Sequence, residues 1–249
     1  WARAHAVGMD VEIVDPNVFV SQIQGPNALK ILEAAAGGLP EKFTYFAVAR
    51  VNFGGQEVVI SRTGYTNELG FEFYIEPHHD ADALWAHLQK AGEDHGLEIF
   101  GLDAMNIRRI EAGILNYGTD MGWDTTPFDL GLGAFVDFGH DFVGLDALQS
   151  ADQSPRFSGF VTEAKDIKWR SPVFAGPDPV GRVKAFEASP TLGTGIGYVL
   201  FENADAMTAD AFTVKDRTGV QHSLTLHQLP FFDPDKRIPR GLEVMEFTG

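Results

Sequence analysis

Apolar and polar residues alternate from Val18 to Gln24, and that period of two predicts a strand. Gly25-Pro26 then opens a predicted helix in which Leu29 and Leu32 share a face, and Gly37-Gly38 stops it. Phe46 to Phe53 and Glu57 to Ser61 flank the turn Gly54-Gly55, the pattern of a β-hairpin. A further strand is expected over Phe71 to Glu76, with Pro77 at its exit. Asp80 to Ala91 follows as a helix with Leu84, Leu88 and Ala91 on one stripe. Between Leu102 and Tyr117, the residues Ile107, Ile110 and Ile114 recur at helical spacing, which assigns Arg108 and Glu111 to positions off that stripe. Strand, helix, strands, helix in this order predicts a ferredoxin-like α+β unit.

A short helix over Val143 to Leu148 is followed by the polar, proline-bearing stretch Ser150 to Arg156, where a domain boundary is expected. Beyond it, short strands are predicted near Phe157–Glu163, Val180–Phe186, Gly195–Glu202, Phe212–Asp216 and Ser223–Gln228, separated by Gly, Pro and Asn/Asp turns. That spacing favours a small antiparallel barrel. The expected organisation is thus an α+β domain over residues 1–149 and a barrel domain over 150–249.

Composition narrows the function classes. The 249 residues suffice for one or two domains with a sizeable core. No apolar run approaches the roughly 20 residues of a membrane span. A net charge of −16 repels nucleic-acid phosphates and anionic membrane surfaces, so neither is expected as a partner. The absence of Cys excludes disulfides, thiolate metal sites and a thiol nucleophile, and fits a reducing, cytoplasmic compartment. The chain starts at Trp1 without a targeting pattern, which reads as the continuation of a longer protein.

The segment Ser61 to Tyr74 carries the strongest chemical signal. In a strand, Phe71, Phe73 and Ile75 point one way while Glu72, Tyr74 and Glu76 point the other. If the polar face borders a pocket, Glu72 offers two acceptor oxygens to a ligand with adjacent N–H donors, and Tyr65 and Tyr74 offer ring surface. The competing reading is a solvated strand face. His78-His79 does not converge as a metal pair, and no metal is expected. His222 and His227 lie in the predicted barrel with no clustered carboxylate. Asp120, Asp124 and Asp129 sit at turns, where Asp is favoured for backbone reasons. Lys236, Arg237 and Arg240 read as a basic surface that could also meet an anionic ligand tail.

Tyr65-Thr66-x-Glu68-x-Gly70-x-Glu72 resembles the Gly-Tyr-Thr-Gly-Glu-x-Gly-x-Glu signature of the glycine cleavage T-protein family, which includes dimethylsulfoniopropionate demethylase. Gln24-Gly25-Pro26, Arg109-Ile110-Glu111-Ala112-Gly113, Tyr117-Gly118-x-Asp120, Val180-Gly181-Arg182-Val183, Ser189-Pro190-Thr191-Leu192 and Leu229-Pro230-Phe231 resemble further family segments in the same order. The resemblance implies that Glu72 binds the pterin of tetrahydrofolate, that Tyr65 and Tyr45 line the site, and that Tyr74 is the aromatic found there in the demethylase branch. It also implies that the usual catalytic aspartate lies upstream of Trp1, the first 17 or so residues being the end of that upstream segment, so no catalytic residue is assigned. Met105 stands where the T-protein has a ligand-contacting arginine, and a thioether cannot replace a fork of donors.

The resemblance therefore implies a tetrahydrofolate-dependent transferase that moves a methyl or aminomethyl group from a small donor to N5 of the folate. Two alternatives are a T-protein proper acting on an aminomethyl-lipoyl carrier protein, and a folate-binding member without activity. The branch that assists iron–sulfur assembly carries a Cys in its motif, and this chain has none. A third reading, the folate half of a flavin-linked amine oxidase, requires a longer chain.

Overall fold

A computed structural model describes residues 1–244. Their contacts divide them into two compact units: Trp1–Gly64, Glu68–Ile99 and the described residues from Ile238 on make the first, while Tyr65–Asn67 and Phe100–Arg237 make the second.

The first unit contains a short helix α1 (Ala2–His5), strand β1 (Phe19–Gln24), helix α2 (Ala28–Ala35), strands β2 (Val48–Phe53), β3 (Gln56–Ser61) and β4 (Gly70–Ile75), and helix α3 (Ala81–Gly92). The strands form an antiparallel sheet in the order β1-β4-β3-β2. Alternation divides the sheet into two faces. Ile23, Val51, Phe53, Val58, Ile60, Phe71 and Phe73 enter one core with Ile31 and Leu32 of α2 and Leu84 and Leu88 of α3. Burying each large side chain of this set contributes about 1.5–3 kcal/mol, which fixes the register, since a slip of one residue would send the phenylalanines to the opposite face. Asp80 caps α3, its carboxylate accepting from the Ala83 N–H at 3.0 Å. The stripe of α2 differs from the sequence expectation. Leu29 is 37% exposed, and the buried positions are Ala28, Ile31, Leu32 and Ala35. The helix packs mainly against α3, and Ala28 and Ala35 share its buried side with Ile31 and Leu32.

The second unit contains helix α4 (Leu102–Glu111), helix α5 (Leu145–Ser150) and strands β5 (Phe157–Thr162), β6 (Pro172–Ala175), β7 (Asp178–Ser189), β8 (Thr194–Phe201), β9 (Phe212–Lys215) and β10 (Gln221–His227). The six strands close an antiparallel barrel in the order β10-β5-β8-β7-β6-β9. Closure leaves no free edge, and Phe160, Val173, Val183, Val199, Phe201, Val214 and Leu224 fill the interior. Strand β6 was not expected: it is four residues long and begins with Pro172, too short to show an alternation. The expected Arg108 and Glu111 positions need correction as well. Glu111 is fully buried and Arg108 is half-buried, because α4 packs on β7 and β8 and the barrel covers the side of the helix away from the apolar stripe.

Candidate functional site

The polar face of the sheet assembles the residues singled out around Glu72. Register pairs Glu72 with Gln22 on β1 and Ser61 on β3, and Tyr74 with Val20 and Val59. The Thr63 hydroxyl donates to Glu72 Oε2. The Ser61 and Thr63 hydroxyl oxygens lie 2.5 Å apart, and Ser61 Oγ is 3.3 Å from the Tyr74 hydroxyl. Each hydroxyl has one proton. With Thr63 donating to the carboxylate, Ser61 donates to Thr63 and Tyr74 to Ser61, a relay of three hydroxyls that ends on Glu72. Glu72 is half-buried, and the Thr63 hydroxyl is its hydrogen-bond partner among the described residues, so Oε1 keeps its acceptor capacity.

Close backbone approach explains two signature glycines of this segment. A Cβ on Gly64 would lie 2.0 Å from Gln24 Oε1, and one on Gly70 would lie 2.3 Å from the Gln24 amide carbon. The Gln24 side chain occupies the space between them and donates from Nε2 to the Thr63 carbonyl at 3.2 Å. The Gln24-Gly25-Pro26 segment and the Thr63–Gly70 loop thus interlock, and Thr63 is held where its hydroxyl meets Glu72. Tyr45 is half-buried, its ring tilted against Phe46 with centroids 4.3 Å apart, and Phe46 donates its N–H to the Arg62 carbonyl at 3.0 Å. A cavity of about 170 Å³ in this unit is lined by Pro26, Leu29, Lys30, Leu69, Ile238 and Val244 among others, and Glu72 is not among its lining residues.

Tyr65 and Met105 belong to the second unit. The Tyr65 hydroxyl donates to the Leu115 carbonyl at 2.8 Å, and burial raises its pKa, Arg109 acting against this and Asp120 with it. Asn67 stands where the resembled signature has glycine, and its φ of 60° gives the reason: the backbone there is left-handed, which Asn tolerates better than most residues. Met105 is half-buried on α4, one residue before Asn106. Asn106 Nδ2 donates to Glu187 Oε1 at 2.6 Å, and Asn106 Oδ1 accepts from Arg109 Nε at 2.9 Å. Burial raises the Glu187 carboxyl pKa, against the pull of the Asn106 donor.

Arg109 and Asp120 form a buried ion pair, completed by the Asn116 N–H at 2.8 Å and the Thr119 hydroxyl at 3.1 Å. Arg108 pairs with Glu111, whose other oxygen accepts from the Ser189 hydroxyl at 2.5 Å. The buried Tyr198 hydroxyl lies 3.0 Å from the Ile110 carbonyl at the end of α4, and burial raises its pKa strongly. None of these groups was singled out as an ion pair from sequence. Arg108 and Glu111 are three positions apart and Arg109 and Asp120 eleven, whereas Ser189 and Tyr198, which complete the groups, lie 78 and 88 positions from their partners. Asp120, expected to serve a turn, is fully buried.

The remaining candidates fall elsewhere. His79 bridges the Glu76 N–H and the Glu57 carbonyl at 2.9 Å each, and His78 lies 3.5 Å from the Glu76 carboxylate. Among the described residues no group of three or more His, Cys, Asp or Glu is arranged to hold a metal. His222 corrects its expectation, for its Nε2 lies 2.9 Å from Asp216 Oδ2. Lys236 also departs from the expected basic surface: it turns inward to donate to Asn67 Oδ1 and the Ala112 carbonyl, both at 2.9 Å.

Profiles of known families match on either side of residue 150. The GCVT N-terminal domain matches residues 1–140, and the glycine cleavage T-protein C-terminal barrel domain matches residues 156–233. The chain belongs to the glycine cleavage T-protein family. Among curated family members, an aminomethyltransferase of Corynebacterium aurimucosum is 33% identical over 247 residues, covering 94% of this chain and 65% of the relative. One from Clostridium botulinum is 36% identical over 226 residues, covering 87% of this chain and 61% of the relative. The chain therefore spans about two thirds of the length of the family members it matches, or slightly less. The glycine cleavage system aminomethyltransferase T of Bartonella henselae shares the fold at a TM-score of 0.79 and 24% identity, over 92% of this chain and 64% of that one. The α+β sheet followed by a closed antiparallel barrel is the architecture of the T-protein family.

Proposed function

We propose that the chain binds tetrahydrofolate and forms part of a one-carbon transferase that moves a methyl or aminomethyl group from a small donor to N5 of the folate. The observation that carries this reading is the state of Glu72: a half-buried carboxylate, oriented by Thr63, with Oε1 available to the paired N–H donors of an amino-pyrimidine edge. The donor set fits the group. Glu72 would hold the pterin, Tyr74 beside it and Tyr45 and Tyr65 would supply ring surface, and Met105 would replace a charged contact by an apolar one. Bound tetrahydrofolate supplies the nucleophilic nitrogen that accepts the carbon.

The residues named here position the folate, and no catalytic residue is assigned among them. The relay from Tyr74 through Ser61 and Thr63 fixes the carboxylate, so little side-chain freedom is lost on binding. Aligning two bound reactants at roughly 3–3.5 Å lowers a barrier by about 7–11 kcal/mol, enough for a carbon already activated as a sulfonium methyl or an iminium methylene. Met105 favours a small methyl donor. The names of the relatives favour a second reading, an aminomethyl donor, which on the family resemblance would be carried on a lipoyl protein. The domain boundary at residues 149 and 150 and the upstream catalytic aspartate belong to the same proposal.

Isothermal titration with tetrahydrofolate tests the reading. Wild type binds, and Glu72→Ala loses about 1–3 kcal/mol because pterin donors are left unpaired. Equal binding by the two proteins would overturn the assignment. With the full-length enzyme, methyl-tetrahydrofolate as product supports the methyl reading, and methylene-tetrahydrofolate supports the aminomethyl one. Among the described residues no helix is long and apolar enough to cross a membrane.

A further inference from the structure

Three residues with positive φ meet at one polar cluster. Asn67, at φ 60°, is 5% exposed. Its Nδ2 donates to Asp233 Oδ2 at 2.9 Å, while its Oδ1 accepts from Lys236 Nζ at the same distance. Lys236 Nζ also donates to the Ala112 carbonyl at the end of α4. Asp233 and Lys236 are themselves left-handed, at φ 49° and 52°, and the turn between them is closed by the Lys236 N–H on the Asp233 carbonyl at 3.0 Å. The Arg237 N–H donates to Asp233 Oδ1 at 2.7 Å.

Left-handed backbone is unfavourable for any residue with a Cβ, and for lysine more than for Asn or Asp. Such strain persists where surrounding contacts over-determine it, and it concentrates at functional sites. Here one side-chain contact from Asp233 and one from Lys236 end on Asn67. The Tyr65–Asn67 loop is anchored at its start by the Tyr65 hydroxyl on Leu115 and at its end by Asp233 and Lys236, with Thr66 buried between. Burial depresses the Lys236 pKa, and the Asp233 carboxylate offsets part of that.

We propose that Asn67, Asp233 and Lys236 form a lock that positions the Tyr65 loop for a reduced folate, acting through the loop and not by touching the ligand. The ligand half of this inference rests on the folate reading above. Asn67 is a positioning residue: glycine at this site would keep the left-handed backbone but lose both side-chain hydrogen bonds and gain freedom in φ.

Asn67→Gly separates these effects, since glycine suits the observed φ and folding is retained, and Lys236→Met removes the other side of the lock. Hydrogen exchange of the peptide covering residues 62–69 and titration with tetrahydrofolate are measured for wild type, both variants and the double variant. Each single variant speeds exchange of that peptide and weakens tetrahydrofolate binding by roughly tenfold. The barrel peptides stay as protected as in wild type. The double variant is no weaker than the weaker single one, as expected for one device. Unchanged exchange in Asn67→Gly overturns the lock. Faster exchange with unchanged affinity overturns its positioning role. Failure of wild type to bind tetrahydrofolate sinks the folate reading and the ligand half with it, while the exchange data still decide whether the lock exists.

Discussion

Two glutamates in regular elements, Glu72 on β4 and Glu111 on α4, are provided for in opposite ways. Glu111 is fully buried, ion-paired to Arg108 and hydrogen-bonded to Ser189, so its oxygens are committed to protein partners. Glu72 is half-buried and has one hydroxyl partner among the described residues. A carboxylate deep in a low-dielectric interior is tolerated only with its charge and lone pairs compensated. One at a partly open face can leave an oxygen for a ligand. The degree to which a carboxylate is saturated by its own chain, more than its presence in a motif, therefore separates the structural role from the binding role.

The sharpest way to break this comparison is to remove a committed carboxylate. Asp120→Ala leaves the Arg109 guanidinium buried without its counterion and should lower stability by about 3–5 kcal/mol in urea unfolding. A loss below about 1 kcal/mol would show that the pair is not structural. Glu72→Gln probes the other side: unfolding should move by no more than about 0.5 kcal/mol, typical of a surface change, while tetrahydrofolate affinity falls several-fold. A large stability loss there would place Glu72 with Glu111.

Asp129 gives a pH test of the committed class. Burial acts to raise its pKa, but the Arg156 guanidinium at 2.6 Å and the Thr126 donors outweigh it and hold the carboxyl below its usual range. With the folded pKa depressed, its contribution is present above the unfolded value of about 3.9 and is lost as pH falls through the lower folded value. Asp129→Asn should therefore cost about 1 kcal/mol at neutral pH, and the gap to wild type in thermal unfolding should close in acid. A gap independent of pH would remove the ion pair as its cause. The smallest effect is expected from Arg50→Ala. Arg50 lies on the same sheet face as Tyr74 and pairs with Glu57 at 3.7 Å, both largely exposed, and its loss should change stability by less than about 0.5 kcal/mol.

Much of the sheet unit was legible along the chain. The alternation at Phe71 and Phe73 identified the core face, and the turn at Gly54-Gly55 located the hairpin. The candidate cluster was legible in part: Glu72 and Tyr74 were singled out by period, whereas Ser61 and Thr63, which complete the relay, were not. Lys236 was read as surface because its partners Asn67 and Ala112 are 169 and 124 positions away. Strand β6 escaped notice because four residues opened by a proline hold too little periodicity to register.

Local pattern by itself determined most of the strands and helices and which face of the sheet is apolar, because those depend on side chains two, three or four positions apart. Which carboxylates are sealed and which keep a free oxygen was decided by tertiary structure alone. Ser189 reaches Glu111 across 78 positions, and α4 hides its charged side only because the barrel packs on it. Hydrogen-bond saturation is set by what the fold brings into reach, and no period in the chain encodes that distance.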